Sequence, residues 1–191
     1  MRKIPTVFVR DPADRAHVLN EVAPGCEWVL AGEGVATRKY DGTCVGFDGT
    51  RWWARREVKP GKVAPPHFKV TEHDEETGKT VGWEPIEQSP FAKFHAEAVR
   101  GITLYDALTE RYVTPLAGTY ELLGPKINGN PERCEEHVLA RHARAQLFSD
   151  APRDFERLRS WLLQRDYEGI VWHHPLGRMA KLKRRDFPSD G

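Results

Sequence analysis

Residues 43–57 read TCVGFDGTRWWARRE, and this stretch decides the fold. Two β-prone runs, Thr43 to Phe47 and Arg51 to Glu57, flank Asp48-Gly49. That dipeptide strongly favours a tight turn between antiparallel strands. Working outward, the same pattern recurs: short apolar or alternating runs bounded by turn residues. Thr6 to Val9, Trp28 to Ala31 and Ala36 to Tyr40 read as strands upstream. Downstream, Pro60 to Pro66 interrupts the pattern with prolines and a glycine. Phe68 to Glu72 and Thr80 to Trp83 then form a second hairpin around Thr77-Gly78. Ala117 to Leu123, Glu136 to Ala140, Gly169 to His173 and Arg178 to Leu182 complete the set.

Helical signals are fewer. Asp14 to Val22 carries Ala16, Val18, Leu19 and Val22 at helical spacing. Ser89-Pro90 opens a helix running to about Val99, and Pro152 opens another with Phe155, Leu158, Trp161, Leu162 and Arg165 at helical spacing. The expected class is α+β, dominated by antiparallel sheet, in a single domain over residues 1–191.

The chain has 191 residues, with 29 Lys and Arg against 28 Asp and Glu, a formal net charge of +1. This length supports a packed core without disulfide staples and excludes a multi-module machine. Hydrophobic residues are 39% and charged residues 30%, so disorder is not the expectation. No apolar run is long enough for a membrane span, and the N-terminus lacks the apolar segment of a secretory signal. Cys26, Cys44 and Cys134 are odd in number and widely spaced, which suggests a reducing, cytoplasmic setting. A near-neutral balance argues against a coat of positive potential, yet leaves room for a local basic groove.

Four segments carry chemistry. Lys39-Tyr40-Asp41-Gly42 places a lysine at a strand end before a tight turn, where a rigidly held amine can serve as a nucleophile. Glu121 stands in the otherwise apolar run GTYELL, so it needs a partner if buried. Glu168 precedes the strand Gly169 to His173, and a carboxylate there can hold a hard cation. In Met179 to Lys183, alternation puts Lys181 and Lys183 on one face, about 7 Å apart, as a phosphate clamp. Taken singly, each segment also reads as ordinary surface: a lysine before a hairpin, an outward glutamate, a charged strand start, a solvated face.

Together the four resemble the collinear motifs of the covalent nucleotidyltransferases: ATP-dependent RNA ligases, DNA ligases and mRNA capping enzymes. In that superfamily Lys-x-Asp-Gly is followed by an arginine, a glutamate strand, Glu-Gly-x-Val and finally Lys-x-Lys. The likeness covers roughly residues 30 to 185. Residues 118–131, GTYELLGPKINGNP, look specifically like small RNA ligase-like proteins of bacteria and phages. The resemblance implies an ATP-grasp-like adenylation domain. Members of that superfamily usually carry a second domain after Lys-x-Lys, such as an oligonucleotide-binding barrel; this sequence departs from the pattern, with only Arg184 to Gly191 after Lys183. It implies that Lys39 attacks the α-phosphate of ATP, that the AMP passes to the 5′-phosphate of RNA or DNA, and that a 3′-hydroxyl then displaces it. It implies Mg²⁺ or Mn²⁺ at Glu168, ribose at Glu121, adenine over Val171, and the α-phosphate between Lys181 and Lys183. Arg55 or Arg56 would supply the arginine motif, with Arg38 as a further nucleotide contact. Phe148, or less so His142, would stack on the second adenine face. The implied function is an ATP-dependent RNA ligase. DNA nick sealing, a GTP-dependent guanylyltransferase and an inactive nucleic-acid binder on the same fold are the alternatives. A protein partner supplying an accessory domain is a further expectation.

Overall fold

Tight turns and short β-prone runs build antiparallel sheets, and each strand pair among the described residues runs antiparallel. The computed structural model describes residues 3–188 apart from 76, 103–104, 107–110 and 113–114. Its strands are β1 (Phe8–Arg10), β2 (Val18–Val22), β3 (Val35–Lys39), β4 (Thr43–Phe47), β5 (Trp52–Val58), β6 (Lys69–Asp74), β7 (Lys79–Pro85), β8 (Tyr105–Asp106), β9 (Arg111–Tyr112), β10 (Gly118–Leu123), β11 (Val138–Arg141), β12 (Gly169–His173) and β13 (Met179–Lys183). The helices are α1 (Glu27–Leu30), α2 (Ala92–Ile102) and α3 (Phe155–Leu163). The class is α+β with antiparallel sheets dominant. No helix of the described residues is long and apolar enough to cross a membrane.

The residues group into two units, each made of two pieces of chain. One comprises 4–40 with 145–191, the other 1–3 with 41–144.

In the first unit, β12 lies between β13 and β3. Ala36, Ile170, Trp172, Ala180 and Leu182 all point to one face by strand alternation, and all are buried. They join Leu158, Trp161 and Leu162 of α3, and Phe8 and Val18 of the β1–β2 ribbon, in one core. Full burial of Leu182 or Ile170 is worth about 1.5–3 kcal/mol each. This burial also fixes register, because a one-residue slip would turn the apolar set toward water. Thr6 bridges the outer edge of β13, and Leu147 bridges the outer edge of β3.

The second unit is a six-stranded sheet in the order β11-β10-β4-β5-β7-β6. Val45, Ala54, Tyr120 and Leu122 share a core with Ile86, Ala98 and Ile127. Here residues 43–57 form the expected hairpin. The Asp48 carboxylate accepts from the backbone N–H groups of Thr50 and Arg51 and from the Trp53 indole. Those bonds hold its carboxyl down at about 2.

Three sequence expectations need correction. Asp14 to Val22 is not a helix. Asp14 binds the backbone N–H of Ala16 and the His17 ring, making a turn, and Val18 to Val22 then pairs with β1. Asx-type turns compete with helix in this way. Trp28 to Ala31 is a helical turn, not a strand, with the Ala31 N–H donating to the Glu27 carbonyl. Trp28 and Val29 are both buried, whereas adjacent strand residues would face opposite sides. The helix expected from Pro152 begins at Phe155, because the Asp154 side chain caps it by accepting from the Arg157 N–H.

Candidate active site

Strand register assembles the lysines. Lys39, Gly169 and Lys183 lie side by side across β3, β12 and β13. Thr37, Val171 and Lys181 form the next row on the same face. The opposite face is core, so burial of one side of the sheet obliges these polar side chains onto the other. Glu168 stands one residue before β12. Its Oε2 accepts from the Lys39 ammonium, and its Oε1 accepts from the Lys183 ammonium at 2.5 Å. Its backbone carbonyl accepts from the Arg184 N–H at 2.9 Å, and the Asp186 carboxylate accepts from the Lys183 N–H at 2.7 Å while pairing with Arg10. The end of β13 is therefore held at three points.

Gly169 is required by close approach. A Cβ there would sit 2.2 Å from the Leu182 carbonyl oxygen and 2.8 Å from the Lys183 Cα. The side chains of Lys39, Lys183 and Glu168 are 21%, 16% and 9% exposed.

Three ammonium groups face one carboxylate, so the cluster has a net positive charge with which it can attract an anion. Burial pushes the Glu168 carboxyl up, but Lys39 and Lys183 more than offset it and hold the group below its usual range. Lys181 lacks such a partner. Burial, reinforced by the charges of Lys183 and Lys39, lowers it to about 8. Phosphate oxygens between such groups receive charge-assisted hydrogen bonds.

The other expected residues are placed as follows. Val171 lies on the lysine face, largely buried, beside Thr37, whose hydroxyl donates to the Val171 carbonyl. Arg38 points to the opposite face, with its guanidinium 4.2 Å from the Tyr167 ring centroid. Phe148 belongs to the core, edge-on to Trp161 and stacked on Tyr167. Neither joins the lysines. Leu147, which sequence reasoning passed over, registers with Thr37 and so shares the lysine face, where it is 67% exposed. His173 and His174 diverge as adjacent residues should: His173 bonds Thr37, and His174 bonds Glu33.

In the six-stranded sheet, Glu121 is buried and has the partner that burial demands. His142 Nε2 lies 2.9 Å from its Oε2, while His142 Nδ1 lies 2.9 Å from the Thr119 hydroxyl. Cys44 is the direct cross-strand neighbour of Glu121. Alternation separates the two arginines left open by sequence. Arg55 shares a face with Trp53, Cys44 and Glu121, whereas Arg56 points to the other side and pairs with Glu84 at 3.4 Å. The Asp41-Gly42 turn is clamped by Asn128, which donates to the Asp41 carboxylate and the Gly42 carbonyl, and by Glu132, which accepts from the Asp41 N–H.

The chain is similar to RNA ligase 1 of Danio rerio, at 26% identity, over 96% of this chain and 79% of that protein. No protein-family model matches the chain.

Among the lysine cluster, Glu168 is the group that could hold a hard cation. Magnesium is commonly bound through one or two carboxylates with substrate phosphates completing the shell, and a single carboxylate fits that role. Sequence reasoning missed Asp186 and Leu147. The signal for Asp186 was weak, since a lone aspartate after a basic run reads as solvated. Leu147 could have been found from Leu147-Phe148, a pair of apolar neighbours that in extended chain must face opposite sides.

Proposed function

We propose that this protein is an ATP-dependent RNA ligase working through a lysyl-AMP intermediate on Lys39, on a nucleotidyltransferase adenylation fold. The observation that carries the reading is the convergence of Lys39, Glu168, Lys181 and Lys183, from three strands, on one sheet face. The likeness to RNA ligase 1 of Danio rerio favours RNA over DNA as substrate.

In this reading the Lys39 amine attacks the α-phosphorus of ATP. A nitrogen–phosphorus bond forms, the α–β bridging bond breaks, and pyrophosphate leaves. The attacking amine is neutral, its proton passing to solvent, and Glu168, already hydrogen-bonded to Lys39, orients it. Lys181 and Lys183 hold the non-bridging oxygens and neutralise charge that builds at phosphorus, which is where preorganised donors act most strongly. An RNA 5′-phosphate then attacks the lysyl-AMP and takes AMP as a 5′–5′ pyrophosphate, which releases Lys39. A 3′-hydroxyl displaces AMP and forms the phosphodiester. A magnesium or manganese ion on Glu168 and the phosphates would supply further charge neutralisation. Val171, on the lysine face, would cover adenine.

Incubation with α-labelled ATP and a divalent metal, followed by denaturing electrophoresis, tests this. Labelled protein is expected from ATP, not from GTP, and none from Lys39→Ala. Adduct persisting in folded Lys39→Ala would overturn the assignment. Chase with 5′-phosphorylated RNA or DNA then reads the substrate class.

A further inference from the structure

We propose that Cys44, Glu121 and His142 form a binding site for a thiophilic divalent cation of the zinc class. The three come from neighbouring strands of one sheet. Cys44 on β4 registers directly with Glu121 on β10, and His142 follows β11 on the other side of Glu121. One potential ligand atom from each, a thiol sulfur, a carboxylate oxygen and an imidazole nitrogen, lies within 4.8 Å of both others. Ligand atoms in a tetrahedral zinc shell are separated by about 3.3–3.8 Å, given metal–ligand bonds of about 2.0–2.3 Å. The cluster is thus close to a ligating geometry before any cation enters.

The donor set chooses the metal. Sulfur with nitrogen and one oxygen suits zinc, cobalt or cadmium, whereas magnesium and manganese prefer oxygen alone. This separates the site chemically from Glu168. The imidazole is also already oriented. Nδ1 meets the Thr119 hydroxyl at 2.9 Å, which leaves Nε2 to ligate, the arrangement by which an outer hydrogen bond fixes a metal-bound histidine. Without a cation, Nε2 bonds the Glu121 carboxylate directly, and a metal replaces that hydrogen bond with two coordinate bonds. Cys44 is in no disulfide, and its partly exposed position with His142 gives the cation a path in. Three protein ligands leave a fourth position for water or another donor, as in zinc sites that are not purely structural. Occupation would engage Glu121, the carboxylate that the ligase reading assigns to ribose. The site itself does not depend on that reading.

Cobalt(II) alone is the probe, titrated anaerobically into the protein. One equivalent should bind, giving tetrahedral visible bands and a sulfur-to-metal charge-transfer band, and zinc should displace it. Cys44→Ser should lose the charge-transfer band, and His142→Ala should weaken binding by at least about tenfold. Thr119→Val, which leaves all three ligands in place, should weaken it by about tenfold. Cys134→Ser and Cys26→Ser should bind as the parent does. A zinc-dependent rise in melting temperature, present in the parent and lost in Cys44→Ser, gives a second readout that does not rely on colour. A charge-transfer band that survives in Cys44→Ser, or no stoichiometric binding by a parent that melts cooperatively, would overturn the proposal. Failure to form adenylate would count against the ligase reading and leave the cobalt titration decisive for this site.

Discussion

Lys181 shows at the residue scale how the proposed phosphate contact and stability oppose each other. Its ammonium is lowered from 10.5 to about 8 by burial and by its neighbours Lys183 and Lys39. That displacement corresponds to about 3 kcal/mol against the charged form in the folded state. The sign follows. Below pH 8 the group is charged folded and unfolded, and the full penalty falls on the folded state. As pH rises from 8 toward 10.5 the folded group is already neutral, and the penalty fades. Lys181→Met should therefore raise the melting temperature at pH 7 and gain little at pH 10, while slowing adenylylation about 10²–10³-fold. Calorimetry at the two pH values, beside labelled-ATP kinetics, checks both halves. Glu168 behaves oppositely. Its depressed carboxyl stabilises the fold above pH 4.5, and this is lost as pH falls through the lowered value. Glu168→Gln should cost on the order of 1–3 kcal/mol at pH 7, because Lys39 and Lys183 lose their shared counterion. It should also flatten the acid side of the stability profile.

At the scale of elements, the β3–β12–β13 sheet acts as a jig that holds amines at fixed spacing. Its weak point is Gly169, which sits in the row between Lys39 and Lys183. Gly169→Ala would press a methyl group against the Leu182 carbonyl and the Lys183 backbone. The strands must part to admit it, which moves Lys183 away from Glu168. A large loss of adenylate is expected, with a lowered melting temperature. Gly129→Ala is the matched control. Gly129 has φ of 79° with nothing within 4 Å of its would-be Cβ, so only the left-handed conformation is penalised, by about 1–2 kcal/mol. Equal loss of adenylate in the two variants would show that Gly169 has no special place in the site.

Across the whole molecule, charge is balanced at +1 while the lysine cluster concentrates positive charge locally. On the ligase reading, an RNA substrate should then be gripped at its phosphorylated end rather than along its length. The slope of log affinity against log salt should be shallow, corresponding to about one to three phosphates, and removal of the 5′-phosphate should weaken binding more than shortening the strand does. Fluorescence anisotropy across a salt series reads both. A steep slope that is indifferent to the 5′-phosphate would mean a distributed basic surface instead.

The sequence by itself determined the antiparallel hairpins, because turn chemistry such as Asp48-Gly49 is local and β alternation is a two-residue period. For the same reason it determined that Lys181 and Lys183 share a face, and that Glu121 would need a partner if buried. Short apolar runs escaped it. Val18 to Val22 and Trp28 to Leu30 fit either helical or extended spacing, and only pairing with Phe8–Arg10 or burial on adjacent positions decided between them. Which side chains meet was likewise a tertiary matter. Arg55 and Arg56 are neighbours in the chain, and the strand pairing alone sends one toward Glu121's face and the other to Glu84. The partner of Glu121 proved to be His142, while Asp186 emerged as the anchor of Lys183. Contacts of this kind join residues far apart in sequence, and no local periodicity encodes them. The packing of the two apolar cores fixes the registers that bring them together.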